Sequence, residues 1–155
     1  MSRAERAKEY FLQGYACSQA VALAFADVIK LDEATIAKIS LPFGGGFGRL
    51  RLTCGAVSGM ALALGSAFAE AENTPENKAR TYAITQELCG KFKAENGSLI
   101  CGELLAGVNV PVEIGGEAEK RTETYYKKRP CAELVYSGAN IVEEYLKENG
   151  KVLSE

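Results

Sequence analysis

The sequence predicts an all-α fold: a single-domain bundle of about six or seven helices over residues 1–155, with a glycine-rich loop beside its cysteines. Three observations carry this. Apolar residues recur at helical spacing and nowhere alternate over the length of a strand. Helix-start signals, a capping Ser, Thr or Asp followed by an acidic first turn or a proline, recur along the chain. No internal repeat, low-complexity linker or change of composition divides it, and 155 residues with 47% hydrophobic content are enough to bury a core without cross-links.

Each element has its own justification. Residues Ser2 to Gln13 place Ala4, Ala7, Tyr10 and Phe11 on one side and charges elsewhere, an amphipathic helix ended by Gly14. The alanine-rich, almost uncharged stretch from Cys17 to Ile29 reads as one buried helix ending near Lys30. Asp32 and Glu33 open a short helix that runs to about Ser40 and is closed by Leu41-Pro42. Cys54 to Ala69 is a small-residue helix with Gly55, Gly59, Ala63 and Ser66 on a face where another backbone can approach closely. Thr74 caps and Pro75 begins a helix to about Ala94 that turns Ala79, Tyr82, Ala83, Leu88 and Phe92 to the core, with Cys89 inside it as a small hydrophobe. Ser98 is the cap signal for a short helix around Cys101, ending at Gly107. Val108 to Glu119 is a surface loop able to act as a lid, and Tyr125 to Arg129 a solvated helix end. Pro130-Cys131 starts the last helix, which continues to Gly150.

Composition removes several function classes. A net charge of −2 gives no reason to expect nucleic acid or an anionic membrane as partner. The N-terminus lacks an apolar signal core and no uncharged run reaches the roughly 18 residues of a membrane span, so a cytoplasmic protein is expected. There is no His, which excludes Cys/His zinc sites, His-based nucleophile pairs and axial-His haem. Five cysteines then stand out, because cytoplasmic thiols are kept reduced and more often serve metal or redox chemistry than disulfides.

The chemistry gathers around Gly44 to Gly65, GGGFGRLRLTCGAVSGMALALG. With Thr53 as N-cap, Cys54 falls in a first turn, where free N–H groups and the helix dipole favour thiolate. Gly44, Gly45 and Gly46, and Gly55 beyond the cysteine, are candidate cofactor contacts: their backbone can form a nest for an anion or a cluster sulfur, with Arg49 or Arg51 adding charge. A plain turn between helices is the competing reading. A phosphate-binding P-loop is excluded, since no Gly-Lys-Ser/Thr follows.

Cys17, Cys54, Cys101 and Cys131 each stand at a predicted helix start, and Cys89 does not. If those ends converge, they form a four-thiolate ligand set. By ligand count it suits zinc, a [2Fe–2S] or a [4Fe–4S] cluster alike, and the surrounding glycines favour a cluster. Buried structural thiols and a cofactor-free dithiol are the alternatives. No nucleophile is paired with a general base; Glu103 and Glu133 are first-turn partners of the helix dipole, so no catalytic residue is assigned.

Cys17-Ser-Gln-Ala-Val, Thr53-Cys-Gly-Ala-Val-Ser-Gly59, Cys101-Gly-Glu-Leu-Leu and Cys131 together resemble the bacterial and archaeal family of redox-active proteins named for its C, GCAxxG, C, C pattern. The similarity runs from about Gly14 to Ile141; Thr53 stands where the pattern has Gly, and Cys89 falls outside it. The resemblance implies redox activity, an iron–sulfur cluster or related group on Cys17, Cys54, Cys101 and Cys131, and a redox partner protein from an oxidoreductase or transporter system. Zinc in a regulatory module is the alternative cofactor. Small-residue faces leave a homodimer open.

Overall fold

The computed structural model describes residues 1–151. Its helical segments are α1 (Arg3–Leu12), α2 (Cys17–Leu23), α3 (Ala26–Ile29), α4 (Glu33–Ser40), α5 (Gly44–Phe47), α6 (Gly55–Phe68), α7 (Pro75–Asn96), α8 (Cys101–Ala106), α9 (Glu123–Lys128) and α10 (Cys131–Glu148), with a 3₁₀ turn at Leu41–Phe43. The fold is all-α; six of these segments have seven or more residues. Segment α5 is a coiled turn rather than a helix, because Gly45 and Gly46 lie at left-handed φ within it. Among the described residues no helix is long and apolar enough to cross a membrane.

Starts follow the caps that the sequence offers. Ser2 and Glu5 form a capping box on α1, the Asp32 carboxylate accepts from Thr35 N–H on α4, and Thr74 caps α7 ahead of Pro75. Helix α6 is the central element. It packs on α2 along one side and on α10 and α7 along others. A Cβ at Gly59 would stand 2.7 Å from the Val21 Cβ and 3.0 Å from the Ser18 carbonyl, so the absence of a side chain there sets the α2–α6 distance. Phe11, Val21, Phe25, Met60, Leu88, Phe92, Val135, Val142 and Leu146 fill the core between these helices.

Three expectations are corrected. The stretch from Cys17 to Ile29 is two helices, since the chain leaves α2 at Ala24, Phe25 takes φ −118 and ψ 26, and Phe25 turns wholly into the core. Helix α7 buries only Leu88 and Phe92; Ala79, Tyr82 and Ala83 are exposed, since its first half meets the end of α6 through Asn77 and Arg80 rather than through this face. Ser66 is exposed as well, so the close-packed face of α6 ends at Ala63.

Buried polar groups hold α1 and α2 in place. Arg3 is buried, stacks over Phe25, and donates to the Ala24 carbonyl and both Asp27 carboxylate oxygens. Ser18 donates to the Ser40 carbonyl at 2.7 Å, and Gln19 joins the Ala37 carbonyl to the Ala16 N–H, fixing the start of α2 against α4.

Candidate functional site

Cys17, Cys101 and Cys131 are the first residues of α2, α8 and α10, and Cys54 is the N-cap of α6. Cys54 thus sits one position earlier than expected, and Thr53 is not the cap. Thr53 instead forms an isolated antiparallel bridge with Ile100. Around that bridge the Cys54 N–H donates to the Leu99 carbonyl (2.8 Å), Cys101 N–H to Leu52 (2.6 Å) and Gly102 N–H to Arg51 (3.1 Å). This short pairing ties the starts of α6 and α8 together and brings Cys54 beside Cys101. On the other side a Cβ at Gly55 would stand 3.1 Å from the Cys17 Cβ, which sets α6 against the start of α2.

All four cysteines line one cavity of about 340 Å3, together with Gly44, Gly45, Gly46, Gly55 and four arginines, Arg49, Arg51, Arg121 and Arg129. Cys89 is half-buried in α7 and does not line it. The glycine loop folds tightly over the opening. Gly45, Gly46, Phe47, Gly48, Arg49 and Arg51 all have left-handed φ, and the N–H groups of residues 48–52 are turned back onto carbonyls of residues 42–47. The segment after α8 does lie across the cavity: Gly115 N–H donates to the Arg49 carbonyl, Arg51 Nε to the Glu113 carbonyl, and Arg49 to the Glu117 carbonyl.

The thiols are not equivalent. A thiolate at Cys131 is favoured by hydrogen bonding from the neighbouring Cys17 thiol. That bond holds Cys131 below the usual thiol range despite its burial, with help from the Arg129, Arg121 and Arg51 charges. The same bond, then burial, push Cys17 well up. Burial pushes Cys54 up to about 12 against the pull of the Ala56 and Val57 amides. Burial thus works against the thiolate expected at Cys54: at 4% exposure, lost hydration opposes the helix start. Burial also raises Cys101, whose sulfur accepts from Arg51 at 3.7 Å, and raises Tyr125.

Sequence reasoning missed Arg121, Arg129 and Tyr125. Arg121 donates to the Phe11 and Tyr15 carbonyls, at 3.0 Å each, and stacks on the Phe11 ring at 4.2 Å. Arg129, read as solvated, has a side chain only 9% exposed and pairs with Glu119. The only signal for either was its place near Cys131 in the sequence. Among the described residues, no three Cys, Asp or Glu side chains are gathered tightly enough to hold a single metal ion as they stand.

Residues 15–145 match the model of the family described as "putative redox-active protein (C_GCAxxG_C_C)". The chain belongs to this family. The match spans all four cavity cysteines, and Cys89 as well. Neither the comparison with curated proteins nor that with solved structures returned a match.

Proposed function

We propose that this redox protein holds an iron–sulfur cluster on Cys17, Cys54, Cys101 and Cys131 and uses it for electron transfer or redox sensing with a partner protein of an oxidoreductase or transporter system. The observation that carries the reading is the convergence of four cysteine-bearing helix starts on one cavity. Thiolates are the preferred donors for such a cluster. The cavity they line, of about 340 Å3, has room for a group of several atoms. Four arginines in the wall offset the negative charge that a thiolate-ligated cluster carries. When bound, the cluster supplies one-electron chemistry. The chain's part is to keep the glycine backbone close, to hold Arg51 against the Cys101 sulfur, and to cover the cavity with residues 113–119.

Iron, sulfide and zinc content, with a visible spectrum, on protein purified without oxygen tests this. Iron and sulfide in equal amounts, with absorbance that bleaches on reduction, is the expected result. Stoichiometric zinc without colour would replace the cluster by a regulatory zinc site.

One observation favours a second reading, a cofactor-free dithiol. Cys17 and Cys131 line the same cavity and each thiol acts on the other's ionisation, a neighbourhood from which a disulfide forms with loss of two hydrogen atoms to an acceptor. Metal-free protein that gains two mass units on reduction, with Cys17 and Cys131 linked beforehand, would establish it.

A further inference from the structure

We propose that the arginine wall of the cavity is a binding site for a small oxyanion, separate in its donors from the thiols. The charges are unbalanced. Arg49, Arg51, Arg121 and Arg129 line the cavity, and Glu119, its one lining carboxylate, is taken by Arg129. Arg51 is buried and donates to a carbonyl and a cysteine sulfur; Arg121 donates to two carbonyls and stacks on aromatic rings. Among the described residues neither has a carboxylate within ion-pair distance. Arg49 reaches one only at 3.9 Å, the mostly exposed Glu113, and its Nε is buried with no hydrogen-bond acceptor.

Three guanidinium groups in one concavity, none well matched by a carboxylate, form a strong positive field. An unsatisfied buried N–H on a charged group is the kind of defect that a ligand repairs. The backbone points the same way. Arg49 and Arg51 both lie at left-handed φ, 63° and 61°, an unfavourable state for residues with a Cβ, and strain of this kind collects at binding sites. Gly45 carries the φ needed for the loop to turn both residues toward the cavity they line.

Guanidinium forks match the spacing of oxygens on a carboxylate, sulfate or phosphate. The cavity also contains the thiol set and an apolar side of Leu41, Leu104, Leu105 and Leu134, which leaves room for a small anion rather than a nucleotide or peptide. The proposal stands on the arginines and needs no cluster on the cysteines; a bound cluster, whose charge the same arginines offset, would weaken the anion site rather than create it.

Calorimetric titration with sodium sulfate, against sodium chloride at equal ionic strength, tests it on oxygen-free, reduced protein whose iron content is measured in the same sample. The expected result is saturable one-site sulfate binding. Arg49→Gln should weaken it about tenfold, the loss of a charge-assisted hydrogen bond. Glu119→Gln should tighten it several-fold by releasing Arg129, and Lys91→Gln, a surface cation outside the cavity, should leave it unchanged. If Arg49→Gln fails to fold, the tightening by Glu119→Gln decides alone. No saturable binding in either iron-free or iron-containing protein overturns the site, as does binding that neither cavity variant alters. Iron-free protein that binds sulfate upholds the site while removing the cluster, so the two proposals fail separately.

Discussion

Gly46 offers the sharpest test of how the site is built. Its φ is +74°, and a Cβ there would stand 2.6 Å from the Cys101 Cβ, 2.7 Å from the Arg51 Cα and 2.7 Å from the Leu52 nitrogen. Two of these atoms are backbone and the third is the root of a short side chain, so none can swing aside. Left-handed geometry costs a residue with a Cβ about 1–2 kcal/mol, and overpacking adds about 1–3 kcal/mol. Gly46→Ala should therefore destabilise the fold by about 2–5 kcal/mol, a large share of the stability of an ordinary domain. Gly65→Ala is the control: it lies within α6 with nothing within 4 Å of its Cβ. Helix propensity should make that change stabilising by about 0.5–1 kcal/mol. Urea unfolding of the reduced proteins, followed by circular dichroism, measures both. Where Gly46→Ala still folds, the loop must part from Cys101, and iron uptake under anaerobic reconstitution should fall more than stability does. Equal unfolding midpoints for the two variants would refute the claim that close packing at Gly46 seats the loop.

The remaining predictions concern the thiols. Cys54→Ser should abolish iron retention and Cys89→Ser preserve it, measured as iron per chain after anaerobic purification; equal loss or equal retention removes the ligand assignment. Cys17→Ala deletes the hydrogen bond that lowers Cys131, so thiolate absorbance of reduced, metal-free protein should lose its earliest-titrating thiol; an unchanged titration refutes the pairing. The reduced, metal-free protein with all its cysteines in place should lose stability as pH rises past about 8.5, where unfolded cysteines ionise. Cys17, Cys54, Cys89 and Cys101 are raised in the folded state, so their contribution is complete below that pH and is lost above it as the unfolded chain alone gives up protons. Cys131, being lowered, works in the opposite sense, but it is one against four. Urea midpoints at pH 7 and pH 10 check this, and a higher midpoint at pH 10 contradicts it.

What the sequence made legible was local. The caps at Asp32 and Thr74, the proline at Pro75 and the small-residue face at Gly55 and Gly59 act within a turn or two, and the structure places them as read. The break after Leu23 had no Gly or Pro to announce it; burial of Phe25 forces it, and burial is a property of the whole bundle. The face of α7 was misread because periodicity gives a direction but not how far a neighbour extends along the helix. At the site, the repeated cysteine position was visible, while the device joining Cys54 to Cys101 was not. A pairing as short as Thr53 with Ile100 has no alternation to detect. Arg129 looked like the end of a solvated basic run, and only the return of residues 113–119 over the cavity covers it.

Burial and helix starts act on these thiols in opposite directions, and the outcome bears on how the site is loaded. A helix start contributes partial charge from a few amides, whereas loss of hydration penalises the full charge of a thiolate. At Cys54 the second effect wins, and at Cys17 it adds to the hydrogen bond given to Cys131. The reduced site therefore holds most of its protons, and any cation binding as thiolate must release them. The arginines then have a definite role. They are fixed positive charges that add to the effect of the Cys17 thiol in favouring ionisation of Cys131 and, through Arg51, ease the ionisation of Cys101. Cys131 is also the sulfur that the other three sense electrostatically, so loading that starts there meets its remaining ligands already in place around the cavity.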